Sequence, residues 1–181
     1  MMTSMAELVA VAWRSGEGRL PAGRRLVVAD PGGDRGHAAV AWLDDDPEWV
    51  GGGVDVYESR PTVQWDDLGG PAPVTRLVLV RRHPDLTHEE FAEHWARVHA
   101  PLARVHHPGL GRYVQHLIGA ALTPRAPAFD GLAELGFGSP ADLSERLYRD
   151  EADRAAIDAD VATFLDVGAG RLLTGSDVAL R

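Results

Sequence analysis

From residue 75 onward the chain switches between two hydrophobic periods. "TRLVLVRR" (75–82) is a run of β-branched and apolar residues and predicts a strand. Thr87, followed three residues later by Glu90, has the pattern of a capping box that opens a helix. Phe91, Trp95, Val98, Leu102 and Val105 then recur at helical spacing. "GRYVQHLIGA" (111–120) and "DGLAELGFGS" (130–139) predict two more strands. Ser139-Pro140 starts a second helix through Leu147, with proline at its permitted first position. A polar helical run extends from about residue 150 to Asp166, and "RLLTGSDVAL" (171–180) predicts the last strand. The order is β-α-β-β-α-β, the split unit of ferredoxin-like folds.

The segment 66–76, with Gly69, Gly70, Pro71 and Pro73, is a turn-rich break. Before it lies a weak echo of the second half. "LVAVAWR" (8–14), "RRLVVAD" (24–30), "HAAVAWLDD" (37–45) and "GVDVYESRPTVQW" (53–65) stand where four corresponding strands belong. Only about nine and about seven residues separate the first three of these, whereas a helix of three turns needs roughly 11. The expectation is an α+β chain of two parts. Residues 5–68 form a reduced, mostly β ferredoxin-like half of four strands, and 74–181 form a complete one.

Composition narrows the function classes. Of 181 residues, 45% are hydrophobic, enough for a core. The net charge of -9 disfavours nucleic-acid binding, which needs a basic stripe. No run of 18 apolar residues is present, so no membrane span is expected. The first residues lack the pattern of a signal peptide, which predicts a cytoplasmic protein. The absence of cysteine removes disulfides, thiolate catalysis and cysteine-held metals. "GGDRG" (32–36) lacks the ending of a phosphate loop and reads as a hairpin. "DDDPE" (44–48) lacks the spaced ligands of a calcium loop.

The residues "LTHEEFAEHWARVHAPL" (86–102), "GLGRYVQHLI" (109–118) and "FDGLAELGF" (129–137) resemble the EthD-like family of dimeric α+β barrels. The likeness covers most of 75–181, and "ALTPRAPAFDGLAEL" (121–135) is similar to tandem members of that family. The resemblance implies two four-stranded sheets facing each other around a pocket. In most relatives a second subunit supplies one sheet; here the first half takes that place or leaves an edge for a homodimer. It also implies cofactor-free chemistry, such as isomerisation of a muconolactone or dehydration or decarboxylation of aromatic polyketides. Where the family usually carries an aromatic on the third strand, this chain has Gly136, which implies a roomier pocket.

Residues 88–109 hold five histidines. Counted at about 100° per residue from Phe91, His94 falls near -60° and His99 near +80°, on either border of the apolar stripe. They are not spaced for chelation, and His99 and His106 lie about 10.5 Å apart along the axis, so no metal is expected. Pro101 cannot donate to Arg97 and predicts a kink near His99 and Ala100. His99 matches the second histidine of the family pattern, and in the muconolactone isomerases that position lies in the active site. The resemblance therefore makes His99 the candidate general acid/base, with a hydrogen-bonded structural histidine as the bland alternative. His88, His106 and His107 read as solvated helix ends.

Tyr113 and Gln115 alternate with Val114 and share a strand face. Tyr113 either stabilises developing oxyanion charge or fills the core. Glu134, in an otherwise apolar strand, needs a partner if buried. It is either a pocket carboxylate that sets the charge state around His99, or an ion-pair partner of Arg76, Arg81 or Arg112. The expected catalytic set is His99, Tyr113 and Glu134. His94, Trp95, Gln115, Phe137, Trp13 and Trp42 are the expected substrate wall. The expected function is cofactor-independent proton transfer (isomerisation, cyclisation, dehydration or decarboxylation) on a hydrophobic oxygenated small molecule such as a polyketide or lactone. A non-catalytic small-molecule binder and a cofactor-free aromatic monooxygenase are the alternatives.

Overall fold

The computed structural model describes residues 7–13, 25–29, 39–43 and 53–178. The expected hairpin at 32–36, the acidic run at 44–48 and Trp49 lie outside the described residues. The strands are β1 (Glu7–Ala12), β2 (Arg25–Ala29), β3 (Ala39–Leu43), β4 (Val54–Asp66), β5 (Val74–Val80), β6 (Leu110–Ala121), β7 (Gly131–Phe137) and β8 (Arg171–Val178). They pair antiparallel throughout and close into a barrel in the order β1-β3-β2-β8-β5-β7-β6-β4. Two seams join the first four strands to the last four: β2 to β8 and β4 to β6.

Period-2 alternation sorts the side chains into a barrel interior and outer-face clusters, one of them on β1, β3 and β4 through Ala10, Ala41 and Val56. Every strand gives the barrel interior at least one residue: Val9, Val27, Val40, Tyr57, Leu77, Ile118, Leu132 and Leu173 are all buried there. On the other face of β5, β7 and β6, Val80, Ala133, Tyr113 and Phe137 meet an outer helical layer through Phe91, Trp95, Ile157 and Phe164. The layer comprises α1 (His88–His94), a π-helical turn (Trp95–His99), α2 (Ala100–His106), α3 (Pro140–Glu145) and α4 (Glu151–Phe164). Each fully buried Leu, Ile, Val or Phe contributes about 1.5–3 kcal/mol, so the helical layer is held chiefly by its apolar face.

Helix starts follow local chemistry. The Thr87–Glu90 capping box is formed on both sides. Ser139 and Asp150 cap α3 and α4 by accepting from the backbone N–H groups of Asp142 and Asp153. The expected kink at Pro101 takes a different form. The Ala100 N–H donates to Trp95 O, five residues back, so the turn widens by one residue. This resets the register, and Pro101 falls in the first turn of α2, where its missing N–H is not needed. Among the described residues no helix is long and apolar enough to cross a membrane.

Candidate active site

A cavity of about 270 Å³ opens between the helical layer and the outer face of β5, β7 and β6. Its sheet side carries Val78, Tyr113, Ala133 and Leu135, and its helix side Trp95, His99, His107 and Ile157. Arg76, Tyr148 and Asp158 add polar groups. The widened turn that carries His99 is one wall.

His99 is only 9% exposed. Its Nδ1 lies 2.8 Å from Oδ2 of Asp160, and Nε2 of His94 lies 2.8 Å from the other oxygen, Oδ1. One carboxylate on α4 thus receives two imidazoles. One turn further along α4, the Phe164 ring stacks on His94 at 4.7 Å and tilts against His99 at 5.1 Å. A carboxylate only accepts, so Nδ1 of His99 carries the hydrogen in this pair and Nε2 of the neutral ring keeps a lone pair. Nε2 makes no hydrogen bond among the described residues. Burial pushes the His99 pKa below its ordinary value; Asp160 acts in the opposite sense but does not overcome it. The ring is therefore neutral at neutral pH and able to accept a proton.

Tyr113 is buried beside it, with ring centroids 6.4 Å apart. Its oxygen accepts from Trp95 Nε1 at 2.9 Å and Gln115 Nε2 at 3.2 Å. With both acceptor sites used, the hydroxyl hydrogen is left to donate elsewhere. Burial raises the Tyr113 pKa far above its ordinary value, so it stays a phenol. Gln115 also donates to Trp95 O at 2.8 Å, the carbonyl that closes the widened turn. The Trp95 ring lies so close to β7 that a Cβ at Gly131 would come within 2.5 Å of it.

The other expected residues divide. His94 belongs with His99 through Asp160, while Phe137 is buried in the same apolar cluster but does not line the cavity. Glu134 is the main correction. Its neighbours Ala133 and Leu135 face the cavity, so it points into the barrel, away from His99. There it pairs with Arg25 at 2.7 Å and with Nε2 of His116 at 3.2 Å; none of the three expected arginines is its partner in these contacts. Burial raises its pKa, but His116 and Arg25 outweigh that and hold it low. Trp42 is also inside the barrel, beside His116 and under the Arg25 guanidinium, and Trp13 stacks on Phe129 at 6.0 Å. Neither tryptophan lines the cavity. The room at Gly136 is taken by Leu68, Ala72 and Arg112, not by the pocket.

The remaining histidines are not solvated helix ends. His88 Nε2 bonds Ile118 O at 2.9 Å, His106 pairs with Asp153 at 2.6 Å, and His107 is buried at the cavity wall. Asp160 is not among the residues that the sequence singles out. Its signal was its spacing four residues before Phe164, which puts acid and ring on one face of α4. Among the described residues no cluster of three or more metal-ligating side chains occurs.

With this geometry in place, the comparisons are informative. Residues 83–168 match the EthD domain, a span that holds the π-turn, His99, Tyr113 and Asp160. Over that span, just under half of the chain, the protein is similar to the EthD domain. A crystal structure of an EthD family protein from Bacillus halodurans C-125 shares 23% identity over 57% of this chain and 97% of that one, with a TM-score of 0.44. An anthrone oxidase-like protein shares 14% identity over 97% of this chain and 92% of that one, with a TM-score of 0.61, and so shows the same fold over nearly the whole length. Among curated proteins no match is found. The segment that matches the EthD domain supplies β6, β7 and the helical layer around the cavity, and β5, β8 and the first four strands complete the barrel.

Proposed function

We propose that this protein is a cofactor-independent enzyme that moves a proton on a hydrophobic, oxygenated small molecule such as a polyketide or lactone. The observation that carries the reading is the buried His99–Asp160 pair at the wall of an apolar cavity, with Nε2 left open. In this reading His99 Nε2 takes a proton from a carbon acid and returns it elsewhere on the substrate. Asp160 fixes the tautomer and balances the imidazolium that forms. Tyr113, held as a phenol by Trp95 and Gln115, donates its hydroxyl hydrogen to the enolate or phenolate oxygen. Val78, Ala133, Leu135 and Ile157 exclude water, which strengthens both interactions.

The reading extends to the architecture. Residues 5–68 and 74–181 are taken as two ferredoxin-like halves, the first reduced and mostly β. In support, the ring reads β4-β1-β3-β2 and β8-β5-β7-β6, so each half has its fourth, first, third and second strands side by side in the same order.

Anthrone, a tricyclic ketone with an acidic C–H, is a suitable probe in view of the fold shared with the anthrone oxidase-like protein. In deuterated water the protein is expected to accelerate exchange at that carbon. His99→Ala should lower the accelerated rate by roughly 10²–10⁴. Acceleration that persists within threefold in a folded His99→Ala variant would remove His99 from the role. Binding of anthrone without any acceleration would favour a carrier.

A further inference from the structure

We propose that His107 is a second substrate-contacting imidazole, so that the cavity takes a molecule bearing a hydrogen-bond donor towards each end, such as a ring system with two separated hydroxyl groups. The inference rests on the proton-transfer reading of this cavity and adds to it the substrate class.

His99 and His107 both line the cavity, from the two ends of the segment that begins at the widened turn. Along a regular helix eight residues span about 12 Å. The two rings therefore stand apart by the length of a small ring system, not of a single bond. Each is anchored through the same atom. Nδ1 of His99 meets Asp160, and Nδ1 of His107 lies 2.7 Å from Leu147 O. A carbonyl oxygen only accepts, so Nδ1 of His107 must carry the hydrogen and Nε2 of the neutral ring must be the acceptor. That Nε2 makes no hydrogen bond among the described residues. Burial lowers the pKa of His107 as it does that of His99. The Tyr148 ring, 4.9 Å away, holds the imidazole from the side.

Two neutral imidazoles with free acceptor nitrogens would select for O–H groups. An ether or a hydrocarbon of the same shape leaves both nitrogens desolvated and unpaired, which is penalised more than a missing bond in water.

The test is equilibrium binding of 2,6-dihydroxynaphthalene, 2-naphthol and 2-methoxynaphthalene to the full chain and to His107→Leu and His107→Gln. For the wild type, affinity should fall in that order, by about 3- to 10-fold for each lost hydroxyl, the usual range for one hydrogen bond. His107→Leu should abolish the advantage of the dihydroxy compound over 2-naphthol, and His107→Gln, which keeps an acceptor, should restore part of it. Should His107→Leu fail to fold, ring-nitrogen NMR of the wild type decides. The Nε2 resonance of His107 should shift on saturation with the dihydroxy compound. An unchanged advantage in His107→Leu, or an unmoved Nε2 resonance, overturns the role of His107 and leaves the His99 reading standing. Failure of all three compounds to bind the wild type overturns both.

Discussion

Strands β6 and β7 separate two buried histidine–carboxylate centres, and the two are wired in opposite ways. On the outer face, one carboxylate, Asp160, receives two imidazoles, His94 and His99. On the inner face, one imidazole, His116, lies between two carboxylates, with Glu7 at 2.9 Å on Nδ1 and Glu134 at 3.2 Å on Nε2. The inner ring has both nitrogens taken and no edge for a ligand. The outer pair leaves Nε2 of His99 open beside a cavity. The same residue types thus make a saturated clasp in one place and an open proton site in the other. Burial and charge are shared by both; the unused valence is what distinguishes them.

Breaking each centre should separate stability from chemistry. The largest stability effect is expected inside the barrel. Glu134→Ala leaves Arg25 and His116 short of a partner and should cost about 3–5 kcal/mol in urea unfolding, the usual result of cutting a buried ion pair. Because Glu7 and Arg25 lie on β1 and β2, the loss should loosen the first four strands, while a ligand in the outer cavity still binds. Asp160→Asn comes next. Asparagine offers a single carbonyl to two N–H donors, so about 1–3 kcal/mol of stability should be lost. Its effect on proton exchange should be much larger than that, on the order of 10²-fold or more, through loss of the His99 tautomer. A rate loss no larger than the stability loss implies would reduce Asp160 to a structural role.

Much of this was legible in the residues, and the failures are specific. The period-2 runs fall on the observed strands, and Thr87 with Glu90 marked the first helix because capping is local chemistry. Pro101 marked the break beside His99, although a wider turn rather than a bend answered it. Glu134 was misread because strand parity is relative. The register that sets Ala133 opposite Gln115 puts Glu134 opposite Val114, and pairing between strands decides which face is which. Arg25, its partner, lies more than a hundred residues away, in a strand separated from β7 by β8 and β5. Asp160 sat in a run rich in aspartate whose weak amphipathicity did not show which acid turns inward. His107 looked like a frayed end because the chain at Leu147 and Tyr148, which buries it, begins 40 residues later.

Smaller effects sharpen the contrast. Gly131→Ala should push the Trp95 ring off β7 and cost about 1–3 kcal/mol, with ligand affinity falling alongside because Trp95 is part of the wall. The smallest signal is in pH. His99 and His107 have folded pKa values below the ordinary value of about 6.5, so the unfolded chain binds more protons than the native one just below that pH. Their contribution is complete above about 6.5 and is lost as pH falls towards their folded values. The stability of His99→Gln should therefore depend less steeply on pH in that window than that of the wild type, as read by urea midpoints across a pH series.

The most direct measurement is the tautomer of His99, read from ring-nitrogen NMR of histidine-labelled protein at neutral pH. The account predicts a neutral ring with hydrogen on Nδ1, coupled to Asp160, and a bare Nε2. A His99 ring protonated at Nε2, or on both nitrogens, would contradict it, for the cavity would then hold no base.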